Sequence, residues 1–134
     1  MRGSTSMIKR EAASAILFRH WLRANPQESC SYEMKDTRGK DSLSFSEVKE
    51  EQINYALAIQ GEKGVMIRVE AVSEGYPDYV YLRNCAAYIV IKYPTLFAII
   101  AIEDFLKEKS RSKRKSLTSM MAIHIATKII KLKK

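Results

Sequence analysis

The sequence lacks the residue groups on which several common kinds of site are built. Its two cysteines, Cys30 and Cys85, and its two histidines have no zinc-site spacing. It contains no glycine-rich phosphate loop and no G-x-S-x-G nucleophile motif. No apolar run reaches transmembrane length, and the first residues lack the apolar stretch of a signal peptide. We therefore expect a cytoplasmic protein with reduced cysteines, without a zinc site and without a membrane partner.

The chain has the size of one domain, with 134 residues and a hydrophobic content of 46%. Periodicity and turn residues predict helices over residues 7–24, 46–60, 103–109 and 118–132, and strands over 30–35, 65–72, 79–82, 87–91 and 96–102. Ser46 is the expected cap of the second helix, Thr118 that of the last, and the strands over 79–82 and 87–91 are expected to form a hairpin. This order predicts an α/β fold with one central mixed sheet flanked by helices.

Charge is concentrated at one end of the chain. Residues 107–134 carry ten lysines and arginines against one acid, Glu108, whereas the preceding 106 residues carry 13 basic and 14 acidic residues. A near-neutral body with a basic end is typical of polyanion binders, and counterion release favours nucleic acid as the partner. A solubilising tail or a helix on a membrane surface is the alternative. We predict an α/β domain over residues 7–106 and a basic C-terminal linker and helix over 107–134.

The strand over residues 30–35 carries the most informative pattern. Its side chains alternate between two faces, so Glu33 and Lys35 share one face while Cys30, Tyr32 and Met34 share the other. A carboxylate can hold a hard divalent cation, and an ammonium beside it can orient a water or offset charge that develops on a phosphate. The alternative is a solvated ion pair on an open sheet face.

Two further polar residues stand where the helical pattern asks for apolar ones. Glu11 lies in the apolar stripe of the first predicted helix, and Gln52 lies at the centre of the stripe of the second. A polar group on a buried face is costly unless it is paired. A core amide bonded to backbone would explain Gln52, and the helix dipole would explain Glu11. Taken together, the two residues suggest helices that lean on the sheet edge carrying Glu33 and Lys35.

From Glu33 through Thr37, the loop ending in Phe45 and the helix with Gln52, the chain resembles RecU-type Holliday junction resolvases, and more broadly the PD-(D/E)xK nuclease superfamily. The resemblance covers about residues 11–105 and extends to small phage-borne proteins of this group. It implies a three-layer-like nuclease core, one or two Mg²⁺ (or Mn²⁺) ions and a homodimer that cuts branched DNA. It also implies Glu33 as a metal ligand, Lys35 positioning the attacking water, Gln52 steadying the site, and Glu11 as a direct or indirect ligand.

The family usually places an aspartate on the strand before E-x-K, and residues 25–32 contain none. Asp78, after Pro77, is the expected replacement, reaching the metal from its own hairpin. In the other interpretation Pro77-Asp78 begins the motif, Lys92 ends it, Val90 stands where the acid belongs, and Glu33 supplies that acid from elsewhere. An aspartate after proline is also a common turn.

We therefore predict a Mg²⁺-dependent DNA endonuclease acting on branched or duplex DNA. Its predicted catalytic residues are Glu33, Lys35, Gln52 and Glu11, and its predicted metal ligands are Glu33, Glu11 and Asp78. The predicted nucleic-acid contacts are Arg38, Lys40, Arg111, Lys113, Arg114 and Lys115. The alternatives are a catalytically inactive nucleic-acid-binding module on the same fold, and a protein whose basic end docks on an acidic partner.

Overall fold

The computed structural model describes the backbone of residues 13–21, 30–69 and 78–132, and the side chains of 13–21, 31–67 and 79–132. The helices are α1 (residues 13–21), α2 (Glu50–Gln60), α3 (Ile102–Arg111) and α4 (Ser119–Ile125). The strands are β1 (Cys30–Asp36), β2 (Ser42–Ser44), β3 (Val65–Val69), β4 (Asp78–Leu82), β5 (Ala86–Tyr93), β6 (Leu96–Ala101), β7 (Ser116–Thr118) and β8 (Lys128–Lys131). A short 3-10 helix, Phe45–Glu47, connects β2 to α2. None of the helices in these ranges is long and apolar enough to cross a membrane.

A four-stranded mixed sheet organises the fold, with its strands in the order β1, β5, β6, β8. β1 runs parallel to β5, and the other two pairs are antiparallel. Two smaller antiparallel ladders, β2 with β7 and β3 with β4, lie outside this sheet. β5 and β6 are almost continuously apolar and buried, as expected for central strands that are covered on both faces.

Each face of the sheet packs against helices. On one face Phe18 of α1 is buried against Val90, Phe97 and Ile99. On the other face the buried side chains of β5 and β6 pack with those of α2, α3 and α4, and Phe105 of α3 meets Phe45 at 5.7 Å between ring centroids. The predicted mixed α/β class is therefore confirmed, with helices on both sides of one mixed sheet.

The predicted hairpin between residues 79–82 and 87–91 is wrong. β4 pairs with β3 instead, with Val65 opposite Leu82. β5 is hydrogen-bonded to β1 on one side and to β6 on the other, so neither of its edges is open to β4. The connection between β4 and β5 is hydrogen-bonded to the end of α2. The Asn84 N–H donates to the Gly61 carbonyl, and the Cys85 N–H donates to the Ile59 carbonyl.

The predicted linker and long C-terminal helix also differ from the structure. Thr118 does cap the helix, because its side chain accepts a hydrogen bond from the Met121 N–H at 3.3 Å. The helix ends at Ile125, however, and residues 128–131 form the sheet strand β8. The Ile129-Ile130 pair is β-branched and completes the ladder along β6. Likewise, residues 116–118 form a strand that pairs with β2.

The ladder of β2 and β7 is fixed to the core by apolar and polar contacts. Leu43 and Leu117 lie opposite each other and are buried. The buried hydroxyl of Tyr93 donates to the Leu117 carbonyl at 2.9 Å. Burial, with a further contribution from the charge of Asp41, raises the pKa of the Tyr93 hydroxyl well above its usual value. It therefore stays a neutral donor at physiological pH, and β7 is part of the folded body.

We expect Leu117→Ala to lower the free energy of unfolding by about 2–5 kcal/mol, because it leaves a cavity under a fully buried side chain. The matched control is Leu57→Ala on α2, where the side chain is 39% exposed and the cost should stay below about 1 kcal/mol. Urea denaturation of both variants measures the difference. Equal costs would contradict the placement of β7 in the core.

Candidate functional site

The site begins on the face of β1 that carries Glu33 and Lys35. In the parallel ladder Glu33 is the partner of Ile89, and Lys35 is the partner of Ile91. Both isoleucines are fully buried in the cluster that also contains residues of α2 and α3. Tyr32 and Met34 pack in the opposite cluster, with Phe18. The predicted separation of the two faces of β1 is therefore confirmed.

Glu33 and Lys35 form an ion pair whose two members differ in exposure. The Lys35 Nζ lies 3.6 Å from the Glu33 Oε1, and the side-chain exposures are 12% for Lys35 and 38% for Glu33. A largely covered ammonium requires a partner, whereas the carboxylate can still be reached from solvent. The alternative of a fully solvated pair does not describe this geometry.

Gln52 of α2 completes the centre and holds Glu33 in place. Its Nε2 donates to the Glu33 Oε1 at 2.7 Å, and its Oε1 accepts from the Lys49 backbone N–H at 3.0 Å. The backbone N–H can only donate, so this bond fixes which end of the amide faces Glu33. The second bond places Gln52 in the first turn of α2, three residues after the N-cap position.

The predicted cap at Ser46 is wrong, because Lys49 occupies the N-cap position of α2. The Ser46 hydroxyl instead forms a hydrogen bond with the Ser44 hydroxyl at 2.8 Å. Ser46 itself lies within the 3-10 helix Phe45–Glu47, which precedes α2. The Gln52 side chain satisfies the backbone N–H of the N-cap residue Lys49, a different donor from the helix N–H that a capping serine would bind.

The arrangement leaves part of the Glu33 carboxylate accessible to a ligand. Among the described side chains, both of its polar contacts involve Oε1. A carboxylate whose side chain is 38% exposed can be reached by a hard cation or a water molecule. One oxygen ligand held by an amide, with an ammonium alongside, fits a divalent cation that also contacts a phosphate.

Two of the predicted ligands fall outside the part of the chain whose side chains are described. Glu11 lies before residue 13, so its predicted role stays a prediction. The backbone of Asp78 begins β4 opposite Val69, in the small ladder rather than in the sheet that contains β1. Over the described ranges, no group of three or more histidines, cysteines, aspartates or glutamates is close enough to hold a metal. The roles of Glu11 and Asp78 as further ligands at Glu33 stay predictions.

Sequence reasoning overlooked Asp36, the residue directly after the E-x-K motif. It is buried, and its Oδ2 accepts from the Ser14 hydroxyl at 2.8 Å while its Oδ1 accepts from the Arg38 N–H at 2.7 Å. Alternation along β1 places it on the α1 side of the sheet, away from Glu33. The sequence pattern that could have indicated this role is an aspartate directly after Lys35, at the end of a strand and just before a turn. Asp36 connects α1 to the end of β1.

The six predicted nucleic-acid contacts are only partly brought together. Arg38 and Lys40 line a pocket of about 300 Å³, and Arg114 and Lys115 line a second one of about 330 Å³. Arg111 pairs with Glu108 on its own helix. Neither of these two pockets includes Arg111 or Lys113 among its lining residues.

Tyrosine rings can stack on unpaired bases, and the tyrosines of β4 and β5 lie in different environments. Tyr79 and Tyr81 on β4 are 55% and 51% exposed, and the Arg83 guanidinium lies 6.0 Å from the Tyr81 ring centroid. Tyr88 stacks on Tyr32, and Tyr93 is buried. The last two are packing residues, which leaves β4 as the strand with accessible rings.

Comparison with known proteins adds no relative. No protein-family model matches the chain, no curated protein matches it, and no solved structure matches it.

Replacing Gln52 by alanine removes two hydrogen bonds at once. We expect Gln52→Ala to lower the free energy of unfolding by about 1–3 kcal/mol, because the first turn of α2 loses its cap and Glu33 loses a donor. Gln60→Ala, at the other end of the same helix, removes one exposed bond to Glu103 and should cost less than about 0.5 kcal/mol. Thermal denaturation compares the two, and equal losses would show that Gln52 does not anchor the site.

Proposed function

We propose that this protein is a metal-dependent DNA endonuclease, with Glu33, Lys35 and Gln52 at its reaction centre. The observation that carries the proposal is the contact among these three side chains, which come from β1 and α2. Glu33 and Gln52 are 19 residues apart in the sequence, and all three residues are predicted site residues. A carboxylate, an ammonium and an amide in this arrangement support hydrolysis of a phosphodiester bond.

Mg²⁺ would be held by Glu33, with Glu11 and Asp78 as the other candidate ligands. When bound, such an ion supplies activation of a water and neutralisation of phosphate charge. The Glu33 donor set is compatible with it, because a half-exposed carboxylate oxygen is a ligand that Mg²⁺ prefers.

The residues of the chain then have separate tasks. Gln52 fixes the carboxylate of Glu33 by donating to Oε1, and the Glu33 side chain is still 38% exposed. Lys35, held 3.6 Å from the same oxygen, places a positive charge where negative charge develops on the phosphate during attack. Burial of most of the Lys35 side chain restricts its motion, so little reorganisation is needed when the charge develops.

Branched DNA as the substrate, and a homodimer as the active form, come from the resemblance to RecU-type resolvases. Symmetric cutting of a four-way junction requires two active sites related by a two-fold axis. The net charge of +8 supports a polyanionic substrate of either shape.

A second candidate function is binding of nucleic acid without cleavage. It is favoured by the absence, over the described ranges, of three grouped residues that could hold a metal. In that case the ion pair and the amide would be structural features of a nuclease-like fold, and function would rest on the basic residues.

A cleavage assay on a labelled four-way junction, beside matched duplex and single-stranded DNA, separates the two candidates. With Mg²⁺ we expect paired nicks at symmetric positions of the junction, and with EDTA none. Glu33→Gln and Lys35→Ala should each lower the rate by about 100-fold or more, because each removes a group that acts on the reacting phosphate.

The control is Lys63→Ala, an exposed lysine beyond the end of α2, which should cut at the wild-type rate. Cleavage that survives both Glu33→Gln and Lys35→Ala would contradict this active site. Tight binding without any cutting by the wild-type protein would support the second candidate instead.

A further inference from the structure

The ladder of β2 and β7 presents a row of hydroxyl groups on its outer face. In its register Ser42 is opposite Thr118 and Ser44 is opposite Ser116, with the buried pair Leu43 and Leu117 between them. Since side chains alternate along a strand, the four hydroxyl residues share the face that points away from the leucines. We call Ser42, Ser44, Ser116 and Thr118 the hydroxyl face.

Cations flank the hydroxyl face on two sides. The pocket of about 300 Å³ is lined by Ser42, Ser44 and Ser116 together with Arg38 and Lys40. The pocket of about 330 Å³ is lined by Ser44 and Ser46 together with three cations, Lys109, Arg114 and Lys115. Ser44 lines both pockets, so the two form neighbouring parts of one surface.

The negative charges near this surface are already engaged. In the first pocket Asp36 accepts from Ser14 and from the Arg38 N–H, and Glu47 faces the Arg38 guanidinium at 3.4 Å. The described residues that line the second pocket include three cations and no carboxylate. The surface therefore has an excess of positive charge that is largest beside Lys115.

We infer that the hydroxyl face and its flanking cations bind the phosphodiester backbone of the DNA. Serine hydroxyls, lysines and arginines are the groups that contact backbone phosphates irrespective of base sequence. Ser42 and Ser44 are two residues apart on a strand, about 7 Å, so the face is longer than one phosphate group. This inference rests on the proposed function, and it adds Ser42, Ser44, Ser116 and Lys109 to the residues that recognise the substrate.

The basic segment before β7, residues 112–115, is held against the body of the protein. The carbonyl of Lys115 accepts from the Phe45 N–H at 3.0 Å, and the Arg114 N–H donates to the Ser112 hydroxyl at 3.1 Å. These bonds fix the backbone of residues 112–115 beside β2. Cations held in place lose less conformational entropy on binding than cations on a mobile tail.

The test measures DNA binding in EDTA at several salt concentrations, with a short duplex and a four-way junction as probes. We expect Arg114→Gln/Lys115→Gln to reduce the slope of log K against log[salt] by about 2, since each phosphate contact contributes about 0.9. Ser44→Ala/Ser116→Ala should weaken binding by about tenfold and leave the slope unchanged, because hydroxyl groups release no counterions.

The matched control is Lys63→Gln/Lys131→Gln, which removes two exposed lysines away from this surface and should keep the wild-type slope. If Arg114→Gln/Lys115→Gln and the control Lys63→Gln/Lys131→Gln reduce the salt slope by the same amount, the inference is overturned while DNA binding stands. The same conclusion follows if the serine variant binds DNA as tightly as the wild-type protein does. If the wild-type protein binds neither probe, the proposed function and the inference fail together. If Arg114→Gln/Lys115→Gln does not fold, the serine variant alone decides.

Discussion

The candidate site depends on one amide. Gln52 accepts from the N–H of Lys49, the N-cap residue of α2, and donates to Glu33 on β1. The same side chain thus fixes where the helix begins and how the carboxylate points. Because the helix cap determines the orientation of the amide, the position of Glu33 is coupled to the docking of α2 on the sheet.

The two faces of strand β1 lie in different environments, one polar and one apolar. On the α2 face it carries Glu33 and the mostly covered Lys35, where a polar centre is accessible from one side. On the α1 face it carries Tyr32 and Met34 in an apolar cluster, and it ends in Asp36 bonded to Ser14. Both helices are therefore connected to the same strand. The segment of β1 that carries Glu33 and Lys35 is held by packing on one face and by hydrogen bonds at its end.

Two features of the site that follow from local patterns were predicted correctly. The two faces of β1 follow from the alternation of a strand, and the contact of Gln52 with Glu33 follows from a polar residue placed in an apolar helical stripe. Strand pairing was not predictable in this way. β4 pairs with β3 because β5 already has two partners, and a three-residue strand such as β7 is too short to show a period.

The same limit explains the C-terminal segment. The pattern over residues 119–125 is helical, as in the structure. Ile129 and Ile130 instead pair with β6, so their strand conformation depends on a tertiary contact that the local sequence does not show. Asp36 was missed because burial of a carboxylate depends on a distant donor, Ser14. Glu11 and Asp78 lie outside the described side chains, and their predicted roles as ligands stay predictions.

The proposed function requires that a divalent cation binds at Glu33 beside Gln52 and Lys35. Paramagnetic broadening of amide NMR signals by substoichiometric Mn²⁺ tests this, in the wild-type protein and in Glu33→Gln. We expect the signals of Glu33, Lys35 and Gln52 to broaden first and those of Lys63 and Lys131 to persist, and we expect the pattern to disappear in the variant. Broadening centred on other acidic residues, or unchanged in Glu33→Gln, would contradict it.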